Sequence, residues 1–208
     1  MVNDFKNELK NILNEGIIKR NPVFVLAIAL TPLLAVSDTI EKALGLGITV
    51  LFIMVLVNLM ISIFKSKLSD EVLTIVTIAI IAFLVTIAEM IIQVRNIALY
   101  QDLGIYLPLT AVSGLILQRA ITYSNRNNVI KSVVDGFAYG LGYLGALIVI
   151  TIIRIIMSTG SITLLSVPMR LFDSVYAFDL ADTAFGAFLI VGLILGIFKT
   201  FQQRGESK

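Results

Sequence analysis

The 208-residue chain contains no cysteine and no histidine. Without cysteine there is no disulfide and no thiolate metal site. Without histidine, the usual proton shuttle and the commonest nitrogen ligand for metals are missing as well. No phosphate loop, nucleophile triad or dinucleotide fingerprint is present. Gly140-Leu141-Gly142 falls inside an apolar run and lacks the strand-turn-helix setting that phosphate binding requires, so its glycines point to close helix contact instead. Nothing supports nucleic-acid binding. The N-terminal segment is polar and the first apolar run lacks a small-residue cleavage pattern, so no cleavable signal peptide is expected.

What the chain has in abundance is apolar residues: 58% are hydrophobic and the mean hydropathy is +0.96. A hydrocarbon core of about 30 Å takes roughly 20 apolar helical residues to cross. Six runs qualify as candidates: Pro22–Val36, Ala43–Phe64, Val72–Val94, Ile105–Leu117, Val133–Met157 and Ala184–Phe198. The first, fourth and sixth are short and need flanking residues or protein neighbours to complete a crossing. None alternates in the way barrel strands must. Unpaired backbone groups are not tolerated in lipid, so the expected form is an all-α membrane protein with six transmembrane helices.

Ala43-Leu-Gly-Leu-Gly47 and Ala138-Tyr-Gly-Leu-Gly142 open the second run of each half of the chain. A duplicated unit of three spans places its copies upside down relative to one another. That is the architecture of proteins that carry something across or into the bilayer. The expected division is an amphipathic interfacial helix over residues 1–20, a first three-span repeat over 21–104 and a second over 105–208. Phe5, Leu9, Ile12, Leu13 and Ile17 mark the helical stripe of the first segment.

Twelve of the 16 Lys and Arg fall on one side of such a topology: Lys6, Lys10, Lys19, Arg20, Lys65, Lys67, Arg119, Arg126, Lys131, Lys199, Arg204 and Lys208. Lys42, Arg95, Arg154 and Arg170 fall on the other. The bias places both termini in the cytoplasm of a multi-pass protein, expected in a prokaryotic inner membrane. The longest link, residues 158–183, is then external, and Met169, Leu171, Phe172, Val175 and Tyr176 suggest a short surface helix within it.

In inverted repeats, short or Gly/Pro-interrupted spans at matching places mark the central site. Here they are the first span of each half. Leu30-Thr31-Pro32-Leu33 puts a proline where a continuous helix needs a backbone donor, and Pro108 is followed by Ser113-Gly114. Thr31, Pro32, Ser113 and Gly114 are therefore candidate ion-pathway residues. Two more lie in neighbouring spans. Glu89 fits either an ion-interacting acid or a plain ion pair with Arg95. Asn58 fits either an interhelical hydrogen bond or an ion ligand. Asp135 and Arg154, near opposite ends of the fifth run, are expected to cap or snorkel.

These residues also carry a family likeness. Asn-Pro-Val-Phe-Val-Leu (21–26), Pro-Leu-Leu-Ala-Val-Ser (32–37), Leu-Gly-Ile-Tyr-Leu-Pro-Leu (103–109), Ile-Leu-Gln-Arg-Ala (116–120) and Val-Val-Asp-Gly-Phe-Ala-Tyr-Gly-Leu-Gly (133–142) run in order. With Ala43-Leu-Gly-Leu-Gly47, they resemble the membrane subunit called RnfE in Rnf complexes and NqrD in sodium-pumping quinone reductases. The resemblance implies an ion-translocating oxidoreductase subunit that is not catalytic by itself. It also implies six spans in two inverted units, an RnfA-like membrane partner, and flavin-bearing and iron–sulfur subunits in the same complex. The family pair buries a 2Fe–2S cluster in mid-membrane on cysteines drawn from the broken spans.

This chain departs from that pattern at the cluster. Alignment of Leu-Thr-Pro-Leu-Leu and Val-Ser-Gly-Leu-Ile-Leu with the family puts Thr31 and Gly114 in the two cysteine positions, and Ile121 and Ile155 replace the usual acidic residues. A threonine hydroxyl supplies neither the charge nor the softness of a thiolate, and glycine supplies no ligand. The chain is expected to ligate no cofactor. Its loss of both cysteines also fits a different class of function, a stand-alone secondary transporter on the same inverted repeat.

Overall fold

The computed structural model describes residues 2–65, 69–164, 167–170 and 178–206. Three of the described helices are long and apolar enough to cross a bilayer: α3 (Ile40–Phe64), α4 (Asp70–Arg95) and α8 (Val129–Thr159). A bent pair of helices is a fourth candidate. Helix α5 (Ile97–Leu103) and the helical stretch Tyr106–Ser124 qualify together but meet at 63°. That stretch contains α6 (Tyr106–Leu109) and α7 (Gly114–Arg119).

The ends of these helices follow from local chemistry. The Thr39 hydroxyl accepts the Lys42 N–H at the start of α3. The Asn96 side chain accepts the Leu99 N–H at 3.0 Å, which separates α4 from α5. Gly160, in the left-handed region at φ 67°, ends α8.

Helices α3 and α8 form the central pair and run antiparallel. Residues 47, 51, 54, 58 and 62 of α3 meet residues 144, 140, 136, 132 and 127 in turn. Small residues allow this approach. A Cβ on Gly140 would come within 3 Å of the Leu51 backbone, and one on Gly47 would overlap Leu144. The remaining glycine of each motif receives a different neighbour. Gly45 lies against Leu99 of α5, and Gly142 lies against Gly16 and Asn21. Over their apolar windows α3 is 56% buried but α4 only 17%, so α4 is peripheral and turns most of its surface outward.

The N-terminal helix α1 (Val2–Asn14) continues into a π-turn, Glu15–Lys19. It packs beside α8 and parallel to it. Glu8 pairs with Lys131, Gly16 abuts Ala138, and Asn21 reaches Gly142. Ile12 and Gly16 are buried in this contact, while Phe5, Ile17 and Ile18 remain exposed.

Two parts of the chain differ from the sequence reading. The link after α8 begins with a hairpin, β1 (Ser161–Leu164) paired antiparallel with β2 (Val167–Arg170), and not with a helix at Met169. Ser-Ile-Thr-Leu and Val-Pro-Met-Arg suit an isolated two-stranded edge, where Pro168 need not donate. Leu171, Phe172, Val175 and Tyr176 of the expected surface helix lie outside the described residues. The final helix α9 (Ala184–Glu206) has an apolar part, Ala184–Thr200, of about 26 Å at 1.5 Å per residue. That is a few ångströms less than the roughly 30 Å of a hydrocarbon core.

Candidate functional site: two adjoining helix breaks

The first break is built by Asn21. Its Oδ1 accepts the backbone N–H groups of Val23 and Phe24 at 2.9 and 3.1 Å, while its Nδ2 donates to the carbonyls of Ile17 and Gly142. The chain then turns instead of extending a helix, with Val25 and Leu26 both donating to the Asn21 carbonyl. Phe24 stacks on Phe198 of α9 at 5.4 Å. Ala27 and Ala29 follow at φ 53° and 60°, in the left-handed region. Each costs about 1–2 kcal/mol for a residue with a Cβ. Only then does α2 (Leu30–Val36) begin.

This relocates the interruption. Pro32 does not break α2; it sits in its first turn, where backbone donors have no intrahelical acceptor and a proline removes nothing. Pro108 holds the same third position in α6. The second break is at Ser113, which takes an extended conformation (φ −64°, ψ 118°) between a 3-10 turn and α7 and offers no side-chain cap.

The two breaks touch. The nearest atom to a Cβ on Gly114 is Ile28 Cγ2, at 3.8 Å. Thr31, Ala27 and Gly114 are exposed, as is Val112 at 74%, whereas Ser113 and Pro32 are half-buried. The remaining candidates lie elsewhere. Glu89 is half-buried and accepts from the Tyr100 hydroxyl at 3.3 Å; among the described residues it forms no ion pair with Arg95. Asn58 belongs to a network toward the N-terminal end of α8.

In that network Arg119, the last residue of α7, grips Asp135 with two donors, Nε at 3.0 Å and Nη2 on the other oxygen. Asn58 donates to the Ser132 carbonyl at 3.2 Å and to Asp135 Oδ2 at 3.4 Å. The guanidinium lies over the Tyr139 ring at 4.0 Å and the Tyr123 ring at 4.9 Å. Toward the other end of α8, Arg154 is 4% exposed. It donates to the Leu34 carbonyl and the Ser37 hydroxyl at 2.9 Å, and to the Ala181 carbonyl at 2.9 Å.

Asp135 and Arg154 are therefore neither snorkelling nor capping their own helix. Both are interior links from α8 to a half-helix beside a break. The signal for this role was present in the sequence as charges bounding a long apolar helix. Their partners were not.

The chemistry of the breaks does not suit an iron–sulfur cluster. Thr31 offers a hydroxyl and Gly114 no side chain, and the chain has no cysteine. Among the described residues no group of three or more His, Cys, Asp or Glu could hold a metal ion.

Comparison with known proteins matches residues 9–201 to the Rnf-Nqr subunit family of membrane proteins. The chain is 36% identical over 198 residues to the E-type subunit of the proton-translocating ferredoxin:NAD(+) oxidoreductase complex of Clostridium ljungdahlii, covering 95% of this chain and 92% of that protein. It is 33% identical over 208 residues to the E-type subunit of the ion-translocating oxidoreductase complex of Pasteurella multocida, covering 95% and 93%. A match across nearly the whole chain places it in the Rnf-Nqr family of membrane subunits.

Proposed function

We propose that this chain forms half of a mid-membrane passage in an Rnf-type complex, with an RnfA-like subunit supplying the other half. It is an integral membrane subunit of such an ion-translocating oxidoreductase complex, as are its relatives of matching length. The observation that carries the passage is the contact between two helix breaks, Ile28 against Gly114, on an exposed face. Non-helical backbone at membrane depth is tolerated only against protein or a watered cavity. An exposed pair of breaks therefore calls for a protein partner, and the seam between the two surfaces is where an ion would pass.

Six spans in two inverted repeats are the architecture of this reading. Its support is the antiparallel run of α3 against α8 and the reciprocal fit of Gly47 to Leu144 and Gly140 to Leu51. The distribution of Lys and Arg supports cytoplasmic termini in a prokaryotic inner membrane. Flavin-bearing and iron–sulfur subunits complete the complex, and this chain contributes no ligand to a cluster.

The test is purification of the complex from native membranes and measurement of its ion translocation in proteoliposomes. Co-purification with an RnfA-like subunit, and ion flux that falls when Thr31 or Gly114 is enlarged, are expected. Transport by this chain alone would replace the proposal with a stand-alone transporter. An iron–sulfur EPR signal lost on substituting Thr31 would overturn the cofactor reading.

A further inference from the structure

The two half-helices that carry Thr31 and Gly114 are held in one manner, by their far ends. Helix α2 starts at the first break and ends at Leu34–Ser37, where Arg154 binds the Leu34 carbonyl and the Ser37 hydroxyl. The Ser37 hydroxyl itself donates to the Leu34 carbonyl at 3.1 Å, so the arginine charge sits on the negative end of α2. Helix α7 starts at the second break, and its last residue, Arg119, grips Asp135 before the chain continues as a π-turn to Ser124. Both anchors stand on α8. Asp135 and Arg154 are separated by about 28 Å of helix at 1.5 Å per residue, close to the roughly 30 Å of a hydrocarbon core.

At the break ends no charged side chain does the same: the turn before the first break is held to α8 by the neutral Asn21–Gly142 hydrogen bond, and α7 begins with the buried Leu115 and Ile116. Ala29 and Ser113, the residues preceding α2 and α7, make no side-chain cap. Ala27 and Ala29 carry strained dihedrals, and the nearest atom a Cβ on Gly114 would meet is a methyl group of Ile28. Strain of this kind concentrates at elements that change state. A helix held by a charged contact at its C-terminal end and mainly by apolar packing at its start has most freedom where it begins.

We propose that Arg154 and the Arg119–Asp135 pair are two independent tethers. They fix α2 and α7 separately to a rigid α8, and so let Thr31 and Gly114 shift relative to one another across the break. These are positioning residues. The inference rests on the passage reading, but its test reads accessibility and not ion flux, so either can fail without the other.

This chain has no cysteine of its own, so label resolved on this subunit reports only the introduced thiol. Thr31→Cys and Gly114→Cys are each introduced into the complex in membrane vesicles, and the rate of maleimide labelling is measured. The backgrounds are unaltered, Arg154→Gln, and Arg119→Met with Asp135→Leu. The last leaves no lone buried charge, and thermal unfolding identifies the variants that remain folded.

Arg154→Gln is expected to change labelling at position 31 several-fold and leave position 114 unchanged. The Arg119→Met/Asp135→Leu background is expected to do the reverse, and Arg154→Lys to restore part of the rate at position 31. Equal changes at both positions in either background would show a common loosening and overturn the proposal. So would unchanged labelling in folded variants.

Discussion

Asn21 Nδ2 donates to the Gly142 carbonyl at 3.0 Å, joining the turn before the first break to the middle of α8. The contact exists because Gly142 has no side chain. A Cβ there would overlap the Gly16 carbonyl and press on Pro22 and Asn21. The glycine thus sets how closely the N-terminal segment, and with it the break, lies against α8.

Gly142→Ala is expected to destabilise the chain by about 1–3 kcal/mol, because the neighbour is backbone and cannot swing aside. Gly145→Ala is the control, since a Cβ there meets nothing within 4 Å. Thermal unfolding in detergent, compared between the two variants, checks the difference.

Asp135 is 1% exposed in its pair with Arg119. Asp135→Asn leaves the guanidinium without its counter-charge, and a loss of about 3–5 kcal/mol is expected. The paired replacement Arg119→Met with Asp135→Leu removes both charges and is expected to cost far less. Unfolding midpoints of the single and double variants decide this. A double variant as unstable as the single one would mean that the pair itself holds the fold together.

Ala29 sits at φ 60° at the start of α2. Glycine relieves about 1–2 kcal/mol of left-handed strain and loses about 0.5–1 kcal/mol to chain entropy. Ala29→Gly is therefore expected to raise stability by roughly 0.5–1 kcal/mol, seen as a higher melting temperature. Ala35→Gly, within α2, is expected to lower it.

Gly114→Cys is expected to fold as well as the parent, within about 0.5 kcal/mol, because its Cβ makes only ordinary contact with Ile28. The thiol is expected to react with a maleimide several-fold faster in the separated chain than in the complex. Equal labelling in both would remove the case for a partner over the breaks.

Much of the fold was legible in the sequence because lipid imposes one simple rule. A long run of apolar residues must be helical to satisfy its backbone, so α3, α4 and α8 follow from length and composition. The breaks were legible to within a few residues. Proline marked both but belongs to the first turn of the helix that resumes, and Ala27 and Ala29 carry no signal of a left-handed turn. The absence of cysteine was plain from the residues alone.

The sequence by itself therefore settled that this is a helical membrane protein, that it has two interrupted segments, and that it holds no cysteine thiolate. Only the tertiary structure decided which groups meet. Arg154 reaches the Leu34 carbonyl 120 positions away, Asn21 reaches Gly142 across 121, and Gly114 lies beside Ile28. Apolar patterning records that a side chain is buried. It does not record what lies opposite, because that depends on where whole helices cross, and the crossings depend on how closely residues such as Gly47 and Gly140 let α3 and α8 approach.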